Sequence, residues 1–213
     1  MLKTLRRHIM MQQGGDSWAN YQQVEYLYGD GNSWFVVPND RDVLKVTIDF
    51  STVPQDTSGY DAPLFQVGEV SVVLNSRNAG LKVLYSGTSI FGTRWLSSVN
   101  FIYYRADVDI KDSNIDFKLF VGVPPSSQSY SNSYSSSPLL AADKNIYIYG
   151  NGVVNNKHKL FNNPRVYDNQ GNLICDLLPC YRKSDLEVGL YDVINNVFYP
   201  NAGSGTFTVG ADV

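Results

Sequence analysis

The chain has 213 residues, 43% of them hydrophobic and only 17% charged, with a formal net charge of −3 at pH 7. This composition excludes a wholly disordered chain and gives no bulk positive charge to attract nucleic acid. No apolar run approaches the roughly eighteen residues a membrane helix needs, so no membrane partner is expected.

The length suits one large domain with a short appendage. Tyr (15) and Phe (10) are frequent, and with many Val, Ile and Thr they favour strands over helices. Lys3, Arg6 and Arg7 fall within the first fifteen residues, whereas all 20 acids lie beyond them. The charge pattern is that of a basic arm on a mildly acidic body.

In chain order, residues 1–16 form this arm. A short helix over 2–12 would align Leu2, Leu5 and Ile9, with Lys3, Arg6 and Arg7 beside them, and Gly14 and Gly15 would end it. So short a helix is not stable alone in water, so an ordered arm needs a partner. Leu2, Leu5 and Ile9 would supply apolar contact, and Arg6 and Arg7 would meet acidic groups on a neighbour. Arg6, Arg7 and His8 interrupt any apolar core of a signal peptide, so synthesis in the cytoplasm without export is expected.

From Trp18 onward the pattern is β. "VLKVTIDF" (43–50) alternates Leu44, Val46, Ile48 and Phe50 against Lys45, Thr47 and Asp49, the period of a half-buried strand. "PLFQVGE", "VSVVLN", "GLKVLYS", "VNFIYYRADVDI", "IDFKLFVG", "NIYIYG" and the segments from 163 to 209 continue it. In "VYDNQGNLI" Gly171 occupies a turn position that favours positive φ, and Asn195 and Asn196 tolerate the left-handed conformation of a reversal. Short strands at roughly ten-residue spacing imply an all-β, two-sheet antiparallel β-sandwich or jelly roll. The Ser-rich stretch 124–138, "PPSSQSYSNSYSSSP", has little apolar surface and is expected as an exposed loop. Cys175 and Cys180 stand an odd number apart, which on a strand places them on opposite faces, so two reduced, packed thiols are expected.

Candidate chemistry is sparse. His8 and His158 cannot make a His-rich metal site, and no G-x-S-x-G elbow or phosphate-cradling loop is present. No catalytic or metal-ligating residue is assigned. Glycoside hydrolysis needs only two carboxylates. Glu25, Glu69 and Glu187 are far apart in sequence, while Asp107 and Asp109 share a strand face and read as a solvent-facing strand edge. "GDGNS" (29–33) and "YDNQGN" (167–172) have the oxygen-rich look of calcium loops but lack the full ligand pattern, so turn chemistry explains them and no cofactor is expected. The candidates for stacking against a sugar ring are Trp34, Trp95, Tyr130 and Tyr134. The two tyrosines lie in the Ser-rich stretch, away from any expected core.

"PCYRKSD" (179–185), "GLYDVINNVFYPN" (189–201), "GSGTF" (203–207) and the opening "YQQVEYLYGDG" (21–31) resemble the LamG-like, concanavalin A-like jelly-roll domains of structural proteins from phages of gut bacteria. "LRRHIMM" (5–11) is similar to the N-termini of such phage proteins. The resemblance implies a jelly roll over 18–213, a place on the virion as head fibre, capsid decoration or tail component, and no enzyme activity. It also implies other virion proteins as partners and contact with host surface glycans. A homo-oligomer, with a trimer favoured, would order the arm. The alternative readings are a carbohydrate-binding module and, further off, a glycoside hydrolase.

Overall fold

The alternation of apolar and polar residues closes into two layers. The computed structural model describes residues 17–40, 43–51, 61–75, 80–91, 94–95, 103–111, 114–121, 127–135, 145–150 and 159–213. The arm and both histidines lie outside them, and so do Leu2, Leu5, Arg6, Arg7 and Ile9.

After a 3-10 turn at Trp18–Asn20, the strands are β1 (Tyr21–Gln23), β2 (Tyr26–Gly29), β3 (Phe35–Val37), β4 (Val43–Ser51), β5 (Asp61–Val67) and β6 (Val70–Asn75). They continue as β7 (Gly80–Tyr85), β8 (Thr88–Ser89), β9 (Arg94–Trp95), β10 (Tyr103–Lys111), β11 (Asn114–Val121) and β12 (Ser127–Ser135). The last are β13 (Ile146–Ile148), β14 (Lys159–Asp168), β15 (Leu173–Arg182), β16 (Val188–Asp192), β17 (Val197–Pro200) and β18 (Phe207–Val209).

An 11-stranded sheet runs β12-β11-β10-β4-β14-β15-β16-β17, with β1 on β15, β2 on β14 and β18 on β2. A 7-stranded sheet runs β3-β13-β5-β6-β7-β8, with β9 on β7. The ladders between the described strands are antiparallel, and the two sheets pack as a sandwich. The core between them takes Val46, Ile48 and Phe50 from β4, and Ala106 and Val108 from β10. Val72 and Leu74 of β6 join them from the smaller sheet. Alternation in β4 thus does what its period requires.

Hairpin chemistry fixes the register. Gly171 has φ +81 and Asn196 has φ +55, as their places in the turns require. Ser86 (φ +50) and Gly87 (φ +75) form the two-residue reversal from β7 into β8, with both φ values positive as such a hairpin demands. The segments 21–29 and 207–213 run against each other through β2–β18, the Val24–Asp212 bridge and a bond from Val213 N to Gln23 O of 3.0 Å.

The cysteines fall on opposite faces of β15. Cys175 joins the main core, and Cys180 packs into a second cluster with Tyr21 and Tyr191, flanked by Trp18, Val193 and Phe198. Neither is in a disulfide and both are buried, and burial pushes the Cys180 thiol up to about 12. Neither thiol is therefore expected to react with Ellman's reagent in the native protein at pH 8, while both react in denaturant; a fast native thiol would contradict the burial.

One expectation is corrected. The middle of the Ser-rich stretch is a strand: Ser127–Ser135 pairs with β11 from Asn114 to Val121. Tyr130 and Tyr134 alternate with serines at period two, and Tyr130 finds a core after all, its ring 5.9 Å from Phe117. Low apolar content did not prevent pairing, because the neighbouring strand supplied both a ladder and an apolar shelf.

Candidate functional site

Among the described residues, three places hold the candidate carboxylates, oxygen-rich loops and aromatic rings. The first is the outer face of the large sheet. Register sets Asp176, Arg165, Thr47, Asp107, Lys118 and Ser131 in one row across six strands. Beside this row Arg105 faces Asp49, its strand partner, through two parallel bonds (Nε to Oδ1 2.7 Å, Nη2 to Oδ2 2.9 Å). Asp49 is buried, and the pairing raises the Arg105 guanidinium above its ordinary value. Arg165 meets the buried Asp176 at 3.4 Å.

Asp107 and Asp109 belong to this face, on a strand flanked by β11 and β4, so they do not lie at the sheet edge anticipated for them. Both face Lys45, whose Nζ stands 3.6 Å from a carboxylate oxygen of each. The remaining oxygen of Asp107 is buried without a hydrogen-bond partner. The arrangement is a charge-paired sheet surface. Glu69 is elsewhere, accepting from Ser86 Oγ at 3.0 Å, and Glu187 sits against Arg182.

The second place is the end of the sandwich where Asp30 meets the loop before β18. Asp30 Oδ1 accepts from Asn32 N (2.8 Å) and Ser33 Oγ (3.1 Å), and its Oδ2 from Thr206 N (2.9 Å). Asn201 bridges the same loops, accepting from Trp34 N (3.3 Å) and Gly203 N (2.9 Å) and donating to Gly205 O (2.7 Å). A Cβ on Gly203 would lie 2.1 Å from Asn32 O and 2.7 Å from the Trp34 ring, so only glycine lets the loop lie on that ring. The oxygen-rich "GDGNS" is thus an Asx-type turn. "YDNQGN" is another, with Asp168 Oδ1 accepting from Gln170 N (2.9 Å) and Asn172 N (2.8 Å). Among the described residues no group of three or more His, Cys, Asp or Glu is placed to hold a metal ion.

Hydrogen bonding, first of all from the Asn32 amide, holds the Asp30 carboxyl below its ordinary 3.8. With the folded value depressed, the unfolded chain binds more protons as pH falls toward and below 3.8. The contribution of Asp30 to stability is therefore present above that pH and lost below it. Asp30→Asn is expected to reduce stability at pH 7 and to flatten its fall between pH 5 and 3; an unchanged acid slope would contradict the assignment.

The third place is β12. Tyr130 is half-buried on Phe117, and Tyr134 is 38% exposed. The four aromatic candidates do not converge. Trp34 lies half-buried just before β3 of the smaller sheet and beside Asn201, while Tyr130 and Tyr134 are on β12, an edge strand of the large sheet. Trp95 is on β9, paired with Gly80, and its side chain lies outside the described residues. Sequence reasoning missed the ion-paired outer face, because strand order decides which charges meet.

No family model matches the chain, and no curated protein matches it in sequence. Among solved structures it is similar to Scytalido-glutamic peptidase bound to a peptide-based transition state analog. That likeness has a TM-score of 0.41 and 13% identity, covering 80% of this chain and 92% of that one. A protein of unknown function from Shewanella oneidensis MR-1 is similar at a TM-score of 0.27 and 15% identity, over 66% of this chain and 58% of that one. At these values neither likeness bears on activity.

Proposed function

We propose that this chain is a non-enzymatic structural protein of a bacteriophage particle, displayed as head fibre, capsid decoration or tail component and docked through residues 1–16. One observation carries the reading: the motifs that resemble phage jelly-roll domains use their polar side chains to close turns. In 179–185 Arg182 holds Asp185 (2.7 Å) and also Glu187, with its guanidinium 5.3 Å from the Phe198 ring. In 189–201 Asp192 caps the reversal at Asn195 and Asn196. In 203–207 the glycines lie on Trp34 and Asp30. Groups engaged this way give a durable fold that presents a surface.

Leu2, Leu5, Arg6, Arg7 and Ile9 would dock on a neighbouring virion protein or join identical chains, a trimer being favoured. Light scattering on the full chain and on a version lacking residues 1–16 tests the arm. Loss of an oligomer, or of binding to particles, on truncation supports the reading; particle binding unaffected by truncation contradicts it.

A carbohydrate-binding module is the second reading, favoured by the exposure of Tyr134 on a strand that also carries Tyr130. Binding on a glycan array that disappears in Tyr134→Ala supports it, and a blank array removes it.

A further inference from the structure

Edges of sheets are where one chain can join another, because each leaves a row of backbone donors and acceptors without a strand partner. Apart from β12, the described strands paired on one side only are short, among them β1 and β18 with 3 residues each and β9 with 2. β8 has 2 residues, β3 has 3, and β17 has 4 and ends at Pro200. β12 has 9 residues, SQSYSNSYS, with no charge and no proline. No described strand pairs with its other side. It has neither the charge nor the brevity that blunts an edge.

Its sequence has a further property. Ser129–Ser135, SYSNSYS, reads the same in both directions about Asn132. When a strand pairs antiparallel with its own copy about a two-fold axis, each residue faces the one equally far on the other side of the axis.

We propose that β12 pairs antiparallel with β12 of a second copy of this chain, about a two-fold axis through Asn132. Asn132 then faces the partner's Asn132, Tyr130 faces the partner's Tyr134, and Ser131 faces the partner's Ser133. Every pair matches like with like. Tyr130, Asn132 and Tyr134 stand in register with Leu119, Phe117 and Ile115, the core-facing row of β11. Two Tyr–Tyr pairs would therefore form across the new seam on the side where the core meets solvent, and aromatic cross-strand pairs are among the stabilising ones. Ser131 and Ser133 stand in register with Lys118 and Asp116 on the outer face, so small hydroxyls meet there without like charges.

In the single chain Asn132 satisfies its own neighbourhood. Its Nδ2 donates to Tyr130 Oη (2.9 Å), and its Oδ1 accepts from Ser133 N (2.9 Å). A partner strand replaces such local bonds with a ladder. The bulge of β12, between the Leu119 and Phe120 pairings, falls at the end of the palindrome and leaves 130–135 regular. A foreign strand could use the same hydrogen bonds, but only a second copy brings the matched side chains, and this commits the proposal to self-pairing.

The test uses the full chain. On the axis, facing Cα atoms lie about 4.5–5.5 Å apart, within reach of a disulfide. Asn132→Cys is expected to cross-link into a covalent dimer under mild oxidation. Ser133→Cys, whose own counterpart is two residues out of register, is expected to stay uncross-linked. Sedimentation across the micromolar range should show Asn132→Lys weakening self-association about tenfold or more, since like charges meet on the axis. Mixing Asn132→Lys with Asn132→Asp should restore it. Cross-linking that is absent at Asn132, or equal at both positions, would overturn the proposal, as would a wild-type mass unchanged by Asn132→Lys.

Discussion

Truncating Phe35 to alanine is expected to lower the free energy of unfolding by about 3–5 kcal/mol, the range for removing a fully buried phenylalanine. Phe35 has no exposed surface and stacks on Phe207 with ring centroids 4.6 Å apart and planes 7° from parallel. The two rings come from different layers. β3, carrying Phe35, pairs with β13 in the smaller sheet, while β18, carrying Phe207, pairs with β2 in the larger. Tyr149 meets Phe207 edge-on at 5.6 Å, and its hydroxyl accepts from Gly29 N at 3.4 Å. Removing Phe35 leaves a cavity between sheets and strips Phe207 of its stacking partner, a geometry that adds to simple area burial. In urea the midpoint should fall with an unchanged slope, and Phe35→Leu should recover most of the loss. A loss below about 1 kcal/mol would mean that this contact is not part of the core.

The second large effect is expected at Asp192. Replacing it by alanine should cost about 3 kcal/mol, because one buried carboxylate serves several donors at once. Its Oδ1 accepts from Ile194 N (2.9 Å), Asn195 N (3.3 Å) and Asp176 N (3.3 Å), and its Oδ2 from Asn195 Nδ2 (2.6 Å). Asn195 in turn donates to Ile174 O at 2.8 Å, linking the turn to β15. Asp192→Asn keeps an acceptor but sets a donor against Asn195 Nδ2, so its loss should be intermediate. Amide exchange read residue by residue should speed up most across β16 and β17, whose register this turn sets. Uniform acceleration throughout the chain would instead indicate a global effect with no local role for the turn.

Much of the fold was legible because it is local. The period-two pattern of 43–50 named the core face of β4, the odd spacing of Cys175 and Cys180 placed them in separate clusters, and Gly171 and Asn196 marked reversals. What escaped depends on partners distant in sequence. Arg105 and Asp49 read as isolated charges until β10 and β4 lie side by side, and Asp107 and Asp109 read as an edge until β11 covers it. The Ser-rich stretch misled because composition outweighed alternation: Tyr130 and Tyr134 already had strand spacing, and β11 supplied the shelf they lacked. The candidate surface was less legible still. Aromatic type picked Trp34 and Tyr134, yet one lies half-buried on Gly203 and the other stands on β12, an edge strand of the large sheet.

The central claim is that this sandwich is a part of a particle. It is tested most directly by purifying phage particles from cells that encode the chain, through a density gradient, and counting the chain against the major capsid protein by quantitative mass spectrometry. The account predicts a fixed copy number per particle that survives high salt. A chain found only in the soluble lysate, with none co-purifying, would contradict it.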